Sequence, residues 1–224
     1  MISRSVGAAT VLFTGRAEGD LGHGGAFVAE VREDVAGRRR AVVDLPWTWV
    51  RQVHGDEVVR VDEPGGRAGT TAGAAVTDQP GAALAVLTAD CAPVALVSPQ
   101  GSVGVVHAGW AGLLAGVVTA AVKELRDLGA SDIAAVLGPC IHPECYEFGL
   151  DNLVDVTDRF GPSAASRTAA GSPALDLPAA VKVALAEHDV HEVDDVDVCT
   201  ACSLGYYSWR ARRETERQAA VVWQ

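Results

Sequence analysis

Methionine occurs once in this 224-residue chain, at Met1, histidine six times, and aromatic residues make up only 5%. Nowhere is there a run of the roughly 18 or more apolar residues that a membrane-spanning helix needs. A helical span is thereby excluded. The opening MISRSVGAATVLFTGRAEG lacks the apolar core and small-residue cleavage site of a secretory leader, which points to a cytoplasmic protein with no membrane partner. Cationic side chains are scarce too: 18 Lys and Arg stand against 29 Asp and Glu, a formal charge of −11. That balance favours solubility and argues against nucleic acid as a partner, because sequence-blind binding needs a basic footprint. The one basic cluster, Arg210–Arg217, also carries Glu214 and Glu216. It reads as a solvated helical face or as an anion seat.

Five cysteines are present: Cys91, Cys140, Cys145, Cys199 and Cys202. A cytosolic chain of this size is not expected to hold disulfides. Four of the five form C-x4-C and C-x2-C pairs, a spacing open to a structural zinc site. Their surroundings, PECYEFG and DVDVCTAC, read as strand or turn instead, and the expected role is that of packing thiols.

What the chain does have is a series of short apolar runs. Strands are expected at Ala9–Thr14, Thr48–His54, Val58–Val61, Ile133–Leu137, Val196–Cys199 and Ala219–Trp223, with helices over Ala26–Gly37 and Ala179–His188. The runs ALAVLTAD, PVALVS and SVGVVH are apolar throughout and suit strands covered on both faces. Leu114, Val117, Val118, Ala121, Val122, Leu125 and Leu128 recur at helical spacing up to Gly129, an amphipathic helix with a glycine stop. Segments 15–25, 64–75 and 162–178 read as turns or loops. With no repeat and no linker, residues 1–224 are expected to form a single mixed α and β domain.

Three of these runs end in a possible metal ligand: His54 after WTWVRQV, Cys91 after ALAVLTAD, and His107 after SVGVV. Two imidazoles and one thiolate suit a Zn²⁺ that keeps a fourth position open for water or substrate. Small neighbours, Gly55, Ala108 and Gly109, would allow close approach of a substrate. Asp90 could accept a proton or orient a ligand. The same residues fit a Cys91 nucleophile with His107 as its base. Copper is a third option, since two His and one Cys form the equatorial set of an electron-transfer site. The usual axial methionine is missing, however, and six histidines are too few for a multicopper oxidase.

The motifs RQVHG (51–55), TADCAPV (88–94), VVHAGW (105–110), LGPCI…CYEFG (137–149) and C-x8-SWR (199–210) run in one order along nearly the whole chain. Together they closely resemble the YfiH-like laccase-domain family, whose members have been called polyphenol oxidase, peptidoglycan editing factor and purine nucleoside phosphorylase. The resemblance implies a single domain of mixed β-sheets flanked by helices and a zinc held by His54, Cys91 and His107. It further implies phosphorolysis of adenosine, inosine, guanosine and methylthioadenosine, and deamination of adenosine, so that purine nucleosides and phosphate are the expected small-molecule partners. Arg51 and Arg210 are candidates for the phosphate seat and Gln52 for a base or ribose contact. The alternatives within the family are an amidase editing peptidoglycan precursors through Cys91 and His107, and a copper-dependent polyphenol oxidase. Three departures stand out. Ala111 replaces the arginine of HAGWRG, Asp20 replaces the asparagine of Asn-Leu-Gly, and YYSWRARRETER replaces FFSYRRD…TGR, with Arg212 at the acidic position and Glu216 at the glycine.

Overall fold

The computed structural model describes residues 1–22 and 33–224. In chain order the described strands are β1 (Ile2–Val6), β2 (Ala9–Phe13), β3 (Trp47–Trp49), β4 (Arg51–Gln52), β5 (Val58–Val61), β6 (Thr71–Ala72), β7 (Ala74–Thr77) and β8 (Ala83–Thr88). They continue with β9 (Ala92–Val97), β10 (Val103–Ala108), β11 (Ala134–Leu137), β12 (Ala165–Arg167), β13 (Pro173–Leu175), β14 (Val193–Asp195) and β15 (Gln218–Trp223). The described helices are α1 (Glu33–Val42), α2 (Trp110–Ala115), α3 (Val117–Asp127), α4 (Leu150–Phe160), α5 (Leu177–Ala186) and the single turn α6 (Trp209–Arg212).

Two mixed sheets carry the fold. One runs β1-β2-β15-β8-β3 and the other β14-β11-β9-β10-β7-β5. Alternation along each strand sends one set of side chains into the space between the sheets and the other set outward. Val11, Phe13, Leu84, Val86, Ala220 and Val222 of the first sheet thus meet Val59, Val61, Ala95, Val97, Val103 and Val105 of the second. On the outer face of the second sheet, Val94, Leu96, Val106 and Leu137 pack under α2–α5. On the outer face of the first, Ala83, Ala85, Leu87 and Val221 pack with Leu21 and Trp49. Each fully buried Val or Leu contributes about 1.5–3 kcal/mol. This double coverage is why β8, β9 and β10 carry no polar face, and all three are buried along their whole length.

Several sequence expectations need correction. The single strand over Thr48–His54 is two: β3 joins the first sheet beside β8, while β4 pairs with β6 in a separate ribbon. The long helix is broken at Gly116, whose φ of +95° ends α2 and begins α3, so Leu114 belongs to the earlier helix. Segment 64–75 is a loop only in its first half, because β6 and the start of β7 are buried sheet. Segment 162–178 holds the β12–β13 hairpin. The strand expected at Val196–Cys199 lies earlier, at β14, and Cys199 keeps one isolated bridge to Cys140. Strand β1 and helix α4 carried no clear signal. The helix expected over Ala26–Gly37 is described only from Glu33, and runs on through Arg38–Arg40 to Val42; the rest of that segment, like His23, lies outside the described residues.

For the site, one consequence matters. The chain crosses from the first sheet to the second in the turn between β8 and β9, which carries Asp90 and Cys91. His107 sits at the adjoining end of β10, on the same side of that strand as Val103 and Val105.

Candidate active site

Three segments deliver the three sequence-predicted ligands to one spot. Strand β4 sets the position of His54, the turn after β8 that of Cys91, and the end of strand β10 that of His107. Their ligand atoms all lie within 4.8 Å of one another. Cys91 Sγ is 3.7 Å from His54 Nε2, and the two imidazole centroids are 5.5 Å apart with planes tilted by 54°. Tetrahedral ligands at zinc distances of about 2.3 Å for sulfur and 2.1 Å for nitrogen are about 3.6 Å apart, so the spacing fits. His54 is exposed, Cys91 half-buried and His107 buried, which leaves the open side of the set at His54.

Backbone shape makes room for this set. A Cβ on Gly109 would fall 2.6 Å from His54 Cδ2 and 3.0 Å from Cys91 Sγ. Only glycine fits there, although its dihedrals (φ −82°, ψ 162°) are open to any residue. Asp90 adopts φ +102°, a conformation L side chains rarely hold and one that must be enforced by its surroundings. The enforcement is visible: its carboxylate accepts from Thr200 Oγ1 at 2.7 Å and from the Arg210 backbone N–H at 2.6 Å. Its carbonyl accepts from Ile141 N at 2.9 Å.

Gln52 grips the backbone of Leu87 with both ends of its amide, donating to the carbonyl and accepting from the N–H at 3.3 Å. Its nitrogen also lies 3.2 Å from His107 Nδ1. The Leu87 backbone hydrogen-bonds the His107 ring as well. A proton on Nδ1 donated to that carbonyl leaves the Nε2 lone pair free, the tautomer a metal ligand requires. Burial, then the charges of His54 and Arg217, lower the His107 pKa to about 3, so the ring is neutral at physiological pH. Burial, with Asp90 adding to it and Arg217 opposing, pushes the Cys91 thiol up to about 12. A thiol held protonated is a poor nucleophile, and an imidazole of such low basicity is a poor base for it. A divalent cation would displace the thiol proton and accept the neutral imidazole as it stands.

The other predicted residues divide. Arg210 spreads its guanidinium 4.9 Å above the Tyr146 ring and donates to the Glu147 carbonyl at 3.1 Å. It lines a cleft of about 630 Å³ with Cys145, Glu147, Phe148, Gly149, Ala201 and Ala211. Arg51 is exposed on β4, next to the residue that reaches His107. Arg212 is fully engaged: it donates to the carbonyls of Thr200, Ala201 and Tyr206 and pairs with Glu214. Asp20 caps backbone N–H groups of Gly22 and Arg217, both at its Oδ1.

Sequence reasoning passed over Arg217, Tyr146 and Thr200. Arg217 is near enough for its charge to act on both Cys91 and His107. Tyr146 feels the charges of Cys91, Arg210 and Asp90, and Thr200 holds Asp90. Arg217 was findable, since it matches the last arginine of the TGR pattern.

The family model described as multi-copper polyphenol oxidoreductase laccase matches residues 14–224 of the sequence, all of it beyond β1 and β2. The chain belongs to the YfiH-like laccase-domain family. Its relatives include a protein of Streptomyces coelicolor named purine nucleoside phosphorylase, 43% identical over 179 residues, covering 78% of this chain and 74% of that one. A protein of Streptomyces griseus with the same name is 40% identical over 215 residues, covering 92% and 87%. Among solved structures, protein NMB0706 of Neisseria meningitidis superposes with a TM-score of 0.83 at 27% identity, covering 99% of this chain and 98% of that one. YlmD of Geobacillus stearothermophilus superposes at 0.80 with 28% identity, covering 96% and 91%. For this family member the predicted fold class, mixed sheets flanked by helices, stands.

Proposed function

We propose that the protein is a zinc-dependent enzyme of purine nucleosides. It cleaves the N-glycosidic bond of adenosine, inosine, guanosine or methylthioadenosine with phosphate, and it deaminates adenosine. The observation that carries this reading is the convergence of His54, Cys91 and His107 within 4.8 Å, in a chain 40–43% identical to proteins named purine nucleoside phosphorylase. Zinc bound there would supply Lewis acidity toward a water or a substrate oxygen. The donor set favours zinc over multicopper chemistry: among the described residues the second group of possible ligands contains no histidine at all.

The chain's own residues take the remaining tasks. The Leu87 carbonyl holds His107 in its ligating tautomer, and Gln52 holds that stretch of backbone in place. Gly109 leaves the space beside His54 and Cys91 clear. Arg210, at the cleft, and Arg51 offer cationic charge to phosphate, and Tyr146 orients the Arg210 guanidinium. In phosphorolysis the bond from ribose C1′ to the base nitrogen breaks, a bond from C1′ to a phosphate oxygen forms, and the base leaves with a proton. Asp90 is the candidate that couples this cleft to the metal ligands, since it precedes Cys91 and holds the Arg210 backbone.

The decisive experiment measures zinc in purified wild type and Cys91→Ala while following adenosine with and without phosphate. Loss of about one equivalent of zinc in the variant, with adenine and ribose 1-phosphate formed by wild type only when phosphate is present, is the expected result. Inosine formed without phosphate marks the deaminase activity. A zinc-loaded wild type that leaves every purine nucleoside intact would refute the substrate assignment and turn attention to peptidoglycan precursors.

A further inference from the structure

A second cluster of soft ligands lies apart from the first. The turn Pro143–Cys145 and the turn Cys199–Cys202 face each other and bring Glu144, Cys145, Cys199 and Cys202 together, with ligand atoms all within 4.8 Å. Cys145 Sγ is 3.2 Å from Cys202 Sγ, and Cys202 Sγ is 3.5 Å from Glu144 Oε1. Cys140, which the spacing in sequence groups with them, is instead buried in the helix-side core. The expectation of packing thiols holds for Cys140 and fails for Cys202, which is exposed.

The arrangement has the marks of a closed four-ligand site. Ligands in a tetrahedral thiolate site with Zn–S of about 2.3 Å are about 3.8 Å apart, inside the spread seen here. Cys199 Sγ already accepts the backbone N–H of His142 at 3.4 Å, a bond that steadies a thiolate in a metal site. Cys199 and Cys202 form a C-x2-C knuckle, closed by Ser203 N donating to the Cys199 carbonyl at 3.0 Å. Cys145 and Cys202 are free thiols in this structure, not a disulfide. Three thiols and a carboxylate in one place supply a soft donor set that a divalent cation can bind by displacing the thiol protons.

We propose that Cys145, Cys199, Cys202 and Glu144 bind a second, structural divalent cation of the zinc class. It joins the two turns across 54 residues of chain (199 − 145). The position gives the clip a purpose. Between its two C-terminal ligands lies Thr200, the residue that holds Asp90 beside Cys91, and Cys145 and Ala201 line the cleft that carries Arg210. The clip therefore fixes the wall of the cleft and the support of the first site without taking part in the chemistry.

The test counts metal in full-length protein kept reduced throughout. Wild type should carry about two equivalents of zinc, Cys91→Ala about one, and Cys91→Ala/Cys202→Ser none. Cobalt added to metal-free Cys91→Ala should give intense thiolate-to-cobalt absorption, which has no source in the first site of that variant. Cys202 is exposed, so Cys202→Ser should fold, yet its thermal midpoint should fall by at least about 3 °C. Glu144→Gln should hold cobalt more weakly while keeping the absorption band. A reduced, folded Cys91→Ala protein that binds neither zinc nor cobalt would overturn the proposal, whatever the fate of the purine assay.

Discussion

The backbone N–H of Arg210 donates to Asp90 Oδ2 at 2.6 Å, across 120 residues of sequence. With Thr200 on the other carboxylate oxygen, this bond explains how a non-glycine residue holds φ +102° beside a proposed metal ligand. Asp90 is both the support of the Cys91 turn and the anchor of the segment that presents Arg210 to the cleft.

Replacing Asp90 by Ala should therefore do two things. Thr200 Oγ1 and the Arg210 N–H lose their acceptor while still shielded from water, which costs about 2–4 kcal/mol for the two groups. Urea unfolding should register that loss. Asp90→Asn, which keeps one acceptor oxygen, should lose about half as much. If Asp90→Ala unfolds with the wild-type midpoint, the carboxylate is not the support described.

Gly109→Ala addresses the first site without touching a ligand. Its dihedrals accept alanine, so the global stability change should stay within about 1 kcal/mol. The new methyl would overlap His54 and crowd Cys91 Sγ. Metal affinity at that site, measured by competition with a chelator, should fall at least about tenfold. Undiminished affinity would place the bound metal elsewhere.

Glu214 links stability to pH. Burial works against its charge. The Ser208 backbone N–H, Arg16 and Arg212 outweigh that and hold its pKa at about 2, below the ordinary 4.5. A carboxylate depressed in the folded state stabilises above its unfolded pKa and loses that contribution as pH falls through the folded value. Glu214→Gln should be about 2 kcal/mol less stable than wild type at neutral pH. The gap should narrow as pH drops from about 4.5 toward 2. A gap that stays constant over that interval would show that the carboxylate charge is not what stabilises the loop.

Local chemistry was legible where a few adjacent residues decide it. The runs that became β8, β9 and β10 stood out because they are apolar on both faces. His54, Cys91 and His107 stood out because each ends such a run in small company. Features that depend on partners far along the chain were misread. Thr48–His54 looks like one strand because nothing in its residues marks that β3 and β4 join different sheets. Segment 64–75 looks like a loop because glycine and other small residues dominate it, yet sheet pairing buries Ala72, Ala74 and Ala75. Arg212 looked available to an anion until three carbonyls claimed its guanidinium.

By itself, then, the sequence determined the strand-rich architecture, the acidic surface and the residue types able to hold a soft cation, since propensity, charge and ligand chemistry act within a few residues. Only the tertiary structure decided how those residues combine. Cross-sheet packing puts the end of β8 against the end of β10, so that Gln52 can hold Leu87 and His107 together. The meeting of two distant turns selects Glu144, Cys145, Cys199 and Cys202 and leaves Cys140 in the core. Both outcomes follow from long-range burial, which sets which strand ends and turns lie side by side and is not encoded in the spacing of any one motif.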